Sequence, residues 1–347
     1  MNKRERVLRA IRHQSVDKVP KGELAIEGEL ANKLLGGGYS LEFQDFEREK
    51  TVRELLDIDL INVGDWPSEQ IGENEEGDKI FKSVYGEKYI FNGKSKHIIE
   101  PPFEDIGDVD KYVTPDINQC SGQLIKRFVE ETDLFVFAQI GGPVSMLNEM
   151  MGMEDYLVYC MTNTEEIKTL AEKVMIFELQ KAKLFIDQGA HGIFVADDIA
   201  FNTGLFLPPY IMEEVAYPFY KELVTEIKKY KDIPVFMHTD GMINDALEDI
   251  VMCGFDGLHS LQPSAGMDIA KVKEFYGEKL CLMGNIDLDY ILTFASEEEV
   301  EKDVKRVLDI ATPNSGFILS TCNILIDVIP TENAKKMYQV ATQYSIK

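Results

Sequence analysis

Short apolar runs recur along this chain near residues 21, 60, 135, 193, 234, 256, 280 and 317, and most of the intervals between them hold a helical pattern of usable length. Runs this short, bounded by Gly, Pro and Asp, read as buried strands rather than helices. Strand and helix alternate as they do in a parallel α/β sheet, because a parallel pair needs a crossover long enough to hold a helix. Eight such units predict an α/β fold of one kind, a single (β/α)8 TIM barrel over residues 1–347. No GxGxxG follows a strand and no GxxxxGK[ST] occurs, so an open nucleotide-binding sheet has little support.

With 347 residues, 45% of them hydrophobic, the chain can fill the core of such a barrel and still carry insertions. Asp plus Glu outnumber Lys plus Arg by 61 to 36, and the formal charge of -25 disfavours nucleic acid and anionic membrane surfaces as partners. The five cysteines, Cys120, Cys160, Cys253, Cys281 and Cys322, are an odd number without the tight spacing of a disulfide scaffold. Residues 1–20 lack the apolar core of a secretory signal, and no run reaches the length of a membrane span. These features predict a soluble, reduced, cytoplasmic protein.

Two additions to the repeat are expected. KRERVLRAIRH (residues 3–13) puts Val7, Leu8 and Ile11 at helical spacing, an N-terminal helical extension within residues 1–18. IFKSVYGEKYIFNGKSKHIIE (residues 80–100) alternates apolar and polar residues around two glycine-containing turns, an inserted β-hairpin or small meander in which His97 reads as solvated. Asn163 with Glu166, and Ser296 with Glu299, have the spacing of helix capping boxes. The methionines from Met146 to Met153 suit either core packing or an adaptable apolar pocket.

Barrel enzymes place their chemistry at the carboxyl ends of the strands. In this chain those positions hold Glu23, Gln139, the pair Asp197 and Asp198, His238 and Asp240 at the end of IPVFMHTDG, His259, Asn285, Asp287, and Cys322 at the end of GFILSTCN. Imidazole, carboxylate and thiolate are ligand types that zinc accepts, so His238, Asp240 and Cys322 form the candidate metal set. Plainer readings stand beside these. His238 also fits a histidine satisfied by a neighbouring carbonyl, His259 a structural residue, and Cys322 a small buried hydrophobe like the other cysteines.

The segments IPVFMHTDG, CLMGNID and GFILSTCNILIDVIPTEN, in this order and spacing, resemble the uroporphyrinogen decarboxylase superfamily, which has a branch of cobalamin-dependent methyltransferases. RERVLRAIRHQSVDKVP and ADDIAFNTGLFLPPYIMEEVAYPFY extend the likeness over nearly the whole chain. The decarboxylases bind a porphyrinogen rich in carboxylates and carry an arginine-rich motif after the first strand, whereas the matching segment here, ELAIEGELANKLL, has no arginine. Burying substrate carboxylates against Glu23, Glu27 and Glu29 without opposing charge costs several kcal/mol. The resemblance therefore implies the methyltransferase branch. In thiol-methylating members of that branch the zinc motif reads His-x-Cys with a later Cys; here Asp240 stands between His238 and Cys322 in the middle position. That implies a harder, more oxygen-rich site.

On this resemblance the chain demethylates a small methylated, in particular methoxylated, substrate. It then passes the methyl group to the cobalt of a corrinoid (cobalamin) carried by a separate corrinoid protein. Zinc would act as a Lewis acid on the ether oxygen, since an alkoxide or phenolate leaves poorly unless its charge is neutralised as it forms. The implied roles are Asp197, Asp198 and Asp240 in catalysis, Glu23, Glu27, Gln139, His259 and Asn285 toward substrate, and His238, Asp240 and Cys322 toward zinc. The alternatives are methyl delivery from a methylcorrinoid to a thiol or folate, then uroporphyrinogen decarboxylation, then a non-catalytic binding protein on the same scaffold. The residues leave the methyl donor and the oligomeric state open, a homodimer among the options.

Overall fold

The computed structural model describes residues 1–91 and 96–346. The chain opens with helices α1 (Lys3–Ile11), α2 (Gly28–Leu35) and α3 (Phe46–Leu55) and strand β1 (Leu60–Gly64). Four antiparallel strands follow as a sheet of their own: β2 (Ser68–Glu73), β3 (Lys79–Ser83), β4 (Lys88–Phe91) and β5 (Lys96–Glu100). After α4 (Gln123–Glu131) come β6 (Phe135–Gly141), α5 (Pro143–Met151), α6 (Met153–Thr162), α7 (Thr164–Asp187) and β7 (Gly192–Ala196). A short ribbon, β8 (Ala200–Phe201) with β9 (Gly204–Leu205), leads to α8 (Pro209–Val215) and α9 (Tyr217–Tyr230). The remainder is β10 (Val235–Thr239), α10 (Leu247–Met252), β11 (Gly257–Ser260), α11 (Ile269–Tyr276), β12 (Cys281–Ile286), α12 (Glu297–Ala311), β13 (Phe317–Thr321) and α13 (Thr331–Gln343).

Strands β1, β6, β7, β10, β11, β12 and β13 form one curled sheet in that order, every neighbouring pair parallel. The strand expected near residue 21 is reduced to two isolated bridges, Lys21 with Leu319 and Ile26 with Leu325. The backbone there still reaches both edges of the sheet: Gly22 N–H donates to Leu319 O, and Asp59 N–H donates to Lys21 O. The Asp59 carboxylate takes the Lys21 N–H that a ladder would pair, and the buried Lys21 ammonium donates to Asp57 and Thr342. Side-chain hydrogen bonds thus hold this segment where a full strand was expected.

The insertion also departs from expectation. It begins at Ser68, well before the expected start at Ile80, and has four strands. Its first strand, SEQIGE, is exposed along almost its whole length, so it carries no apolar alternation for a sequence reading to find. The second glycine turn of the expected hairpin, at residues 92–95, lies outside the described residues. Of the two capping boxes, Ser296 and Glu299 form theirs in full. Asn163 does not cap α7 through its side chain, which accepts from the Thr162 hydroxyl instead.

The interior of the curled sheet is apolar and aromatic at its amino end. Leu60, Phe135, Phe137, Phe194, Phe236, Cys281, Met283 and Ile318 from the strands pack with Val7, Ala10 and Ile11 of α1 in one buried cluster. Helix α1 therefore closes the amino end, which is what its stripe of apolar residues is for. The ring of Phe137 lies 5.2 Å from Phe194 and 5.0 Å from Phe236. Gly257 makes room for this layer, since a Cβ there would come within 2.2 Å of the Phe236 ring. Each fully buried ring contributes about 1.5–3 kcal/mol of hydrophobic stabilisation. Among the described residues no helix is long and apolar enough to cross a membrane.

Candidate functional site

Successive residues of a strand point to opposite faces, so the positions two beyond the apolar layer also face inward, one step nearer the carboxyl rim. Two beyond Leu60, Phe137, Phe236, Gly257 and Met283 stand Asn62, Gln139, His238, His259 and Asn285. The interior thus changes from aromatic to polar within one pleat. Two further on from His238 is Asp240, and Asp198 stands at the same level after β7.

Among the described residues, Asp198, His238 and Asp240 each bring one donor atom within 4.8 Å of the others. The Asp240 N–H donates to Asp198 Oδ1 at 2.9 Å, and His238 Nε2 lies 3.9 Å from the same oxygen. Asn323 Nδ2 donates to Asp240 Oδ2, Ser260 stands beside the same carboxylate, and Asp240 Oδ1 is buried without a hydrogen bond of good geometry among the described residues. Burial pushes the Asp240 carboxyl above its ordinary value, His238 opposes that, and Asp198 adds to it. The turn is held by Gly241 at φ 84°, where a Cβ would come within 2.6 Å of Ala200 O.

A histidine pair backs this group. His238 Nδ1 and His259 Nδ1 are 2.8 Å apart, and His259 Nε2 lies 3.0 Å from Thr321 O. A carbonyl only accepts, so His259 Nε2 carries the proton of that bond. His259 is fully buried, and desolvation holds its pKa well below the ordinary histidine value, with His238 adding to that. Behind Thr321, its hydroxyl donates to Glu23 Oε1 at 2.6 Å, and Tyr338 donates to Glu23 Oε2 at 2.6 Å. Burial raises Glu23 to about 7 against these donors.

The paired aspartates separate by strand parity. Asp198 turns to the rim with its side chain half exposed. Asp197 turns outward and is buried, accepting from the backbone N–H groups of Val144 and Ser145 at the start of α5 and from the Tyr220 hydroxyl. Burial raises its pKa to about 7. It ties α5 and α9 to the sheet and stands apart from the Asp198, His238 and Asp240 group. Glu27 is placed similarly, its Oε2 accepting from Asp327 N–H at 2.6 Å.

Gln139 accepts from Asn62 Nδ2, and Asn285 Nδ2 donates to Leu261 O at 3.0 Å. Asn62 Oδ1 and Asn285 Oδ1 are both buried without a partner among the described residues. The structure does not bring Cys322 into the three-residue group. Its thiol is buried, desolvation pushes it up to about 12, and the Leu288 backbone opposes that. Asn323, Thr321, Tyr338, Tyr220 and Asn62 were not singled out from the sequence. Only Asn62 carried a usable signal, its place two residues after Leu60 in LINVG.

A parallel α/β sheet curled round an aromatic plug, with carboxylates and imidazoles gathered at the carboxyl rim, defines an enzyme-type barrel architecture. The uroporphyrinogen decarboxylase (URO-D) family model matches residues 84–344, and the chain belongs to that family. A uroporphyrinogen decarboxylase of Chlorobium phaeovibrioides is 24% identical over 72% of this chain and 72% of its own length. Methylcobamide:CoM methyltransferase MtbA of Methanosarcina acetivorans is 23% identical over 98% of each chain. Among solved structures, a methyltransferase from Methanosarcina mazei superposes with a TM-score of 0.79 at 18% identity, covering 99% of each chain.

Proposed function

We propose that this chain is a methyltransferase that works with a corrinoid protein, removing a methyl group from a small methoxylated substrate with zinc held by Asp198, His238 and Asp240. The observation that carries the reading is that three-residue group at the carboxyl rim. Two carboxylates and an imidazole within 4.8 Å of one another make a donor set suited to a divalent cation. Three protein ligands leave a position for substrate. The family includes methylcobamide-using relatives, MtbA among them, of nearly the same length.

Zinc held there would supply Lewis acidity to the substrate oxygen, which keeps the pair of the broken C–O bond while the methyl group is taken by the electron pair of the reduced cobalt on the corrinoid protein. The half-exposed Asp198 is the member of the group that an entering substrate meets first. Asn62, Gln139 and Asn285 supply polar contacts around the mouth, and the phenylalanine layer beneath keeps water from the floor. Cys322 lies beside the group as a thiol that burial keeps protonated. We read residues 1–347 as one (β/α)8 unit in which the Lys21 segment takes the eighth strand's place.

Two other reactions compete. Methyl delivery to a thiol is favoured by the likeness to MtbA, and uroporphyrinogen decarboxylation by the other relatives. A rim built from carboxylates and unpartnered carbonyl oxygens opposes a polycarboxylate substrate. The test mixes purified protein with a reduced corrinoid protein and a panel of methoxyaromatics, methanol and methylamines, following the corrinoid absorbance. Parallel arms offer methylcorrinoid with a thiol, and uroporphyrinogen alone. Methylation of the corrinoid by a methoxylated donor supports the proposal; activity only in the thiol arm reverses the direction, and coproporphyrinogen formation overturns both.

A further inference from the structure

We propose that His259 is a positioning residue that holds His238 as the Nδ1–H tautomer, turning the bare Nε2 of His238 toward Asp198 and Asp240. Thr321 O accepts from His259 Nε2 at 3.0 Å, which puts the single proton of a neutral His259 on Nε2. Nδ1 of His259 is then an acceptor, and the 2.8 Å contact to His238 Nδ1 requires the proton of that bond to sit on His238. A neutral His238 so arranged has its lone pair on Nε2, the nitrogen 3.9 Å from Asp198 Oδ1.

Thr321 does not leave this to chance. Its hydroxyl is anchored on Glu23, which also accepts from Tyr338, so the carbonyl that starts the chain is held from behind. Ring contacts add to the restraint: the tilted His238 and His259 rings are 4.9 Å apart, and the edge of Phe194 lies 6.0 Å from His259. Metal-ligating histidines generally have their second nitrogen engaged in this way, usually by a carboxylate or carbonyl, and losing that partner weakens metal binding 10–100-fold. Here a second histidine fills the place and passes the restraint on from a backbone carbonyl. The consequence for a metal rests on the zinc reading above; the tautomer does not.

The experiment is nitrogen NMR of the full-length protein labelled on histidine and stripped of metal with a chelator, followed by titration with zinc ion alone. His238 Nδ1 is expected to read as protonated and His259 Nδ1 as an unprotonated imidazole nitrogen, with the lone pair of neutral His238 on Nε2. His259→Phe keeps the ring shape but loses both nitrogens; it should release His238 to the other tautomer and weaken zinc binding 10–100-fold. His259→Gln, whose amide can donate to Thr321 O and accept from His238, should stay within a few-fold of the unaltered protein. An Nε2–H tautomer in the unaltered protein overturns the proposal, as does a His259→Phe protein that keeps both tautomer and zinc affinity. The expected tautomer without any zinc binding would remove the metal and leave the positioning role standing. If His259→Phe fails to fold, the spectra of the unaltered protein and of His259→Gln decide the matter.

Discussion

The Asp198, His238 and Asp240 group makes a prediction that runs against the usual effect of altering a buried site residue. Without a cation, the carboxylates of Asp198 and Asp240 face one another, and among the described residues only Ser260 stands near enough to Asp240 to act as a donor besides Asn323. Two unit charges at 4.8 Å, the outer limit of the spacing in this group, repel by about 3.5 kcal/mol at an effective dielectric of about 20. The side chain of Asp198 is 49% exposed, and solvent screening brings this to roughly 1–2 kcal/mol. Asp240→Asn removes one of the charges, while its amide oxygen can still accept from Asn323. The metal-free variant should therefore be more stable than the unaltered protein by roughly 1–2 kcal/mol, a trade of stability against function of a familiar kind. Zinc should reverse the order. A ligand at one hundred times its dissociation constant stabilises the unaltered protein by about 2.7 kcal/mol, and the variant, short of a carboxylate, gains less. Urea unfolding with chelator and with excess zinc measures both quantities. Loss of more than about 1 kcal/mol by metal-free Asp240→Asn, or an equal gain from zinc in both proteins, would refute the electrostatic reasoning.

Glu23, raised to about 7, favours the fold most fully below its ordinary value of 4.5, and this contribution is lost as pH rises through 7. Glu23→Gln should accordingly flatten the fall in urea midpoint between pH 5 and 8, by at most roughly 3 kcal/mol, and an unchanged slope would show that Glu23 stays ionised in the fold. Tyr220→Phe takes a donor from the buried Asp197 and should cost about 1.5–3 kcal/mol of stability, read by the same unfolding assay; a cost under about 0.5 kcal/mol would mean the contact is dispensable. Cys322→Ala should keep full zinc stoichiometry by metal analysis and lose roughly 1 kcal/mol of stability, whereas loss of bound zinc would return the thiol to the ligand set.

Much of the architecture was legible because its signals are local. A buried parallel strand is a short apolar run, and the helix that must follow it has its own period, so β6, β7, β10, β11, β12 and β13 each announce themselves. The segment at Lys21 reads as a strand by the same rule, yet its N–H is taken by the carboxylate of Asp59, a partner 38 positions away. Strand β2 has almost no buried face and so left no pattern. Lack of any inward side was the reason for the miss.

The site was legible as a set of residue types and not as a set of contacts. His238, Asp240, Asp198 and His259 follow from looking at the carboxyl ends of predicted strands. That Asp197 serves the helix start while its neighbour Asp198 serves the rim depends on strand parity, which the pair of letters leaves open because either could face inward. Cys322 and Asp240 looked equivalent as ligands until the structure put one thiol beside a backbone amide and one carboxylate beside two donor atoms. What the sequence alone determined was which residues could be polar within an apolar sheet, since hydrophobic periodicity is a property of near neighbours. Which of those polar atoms meet, and which are left without a donor, was decided only when β7, β10, β11, β12 and β13 came side by side, because hydrogen bonds and charges act over a few ångströms of space and not along the chain.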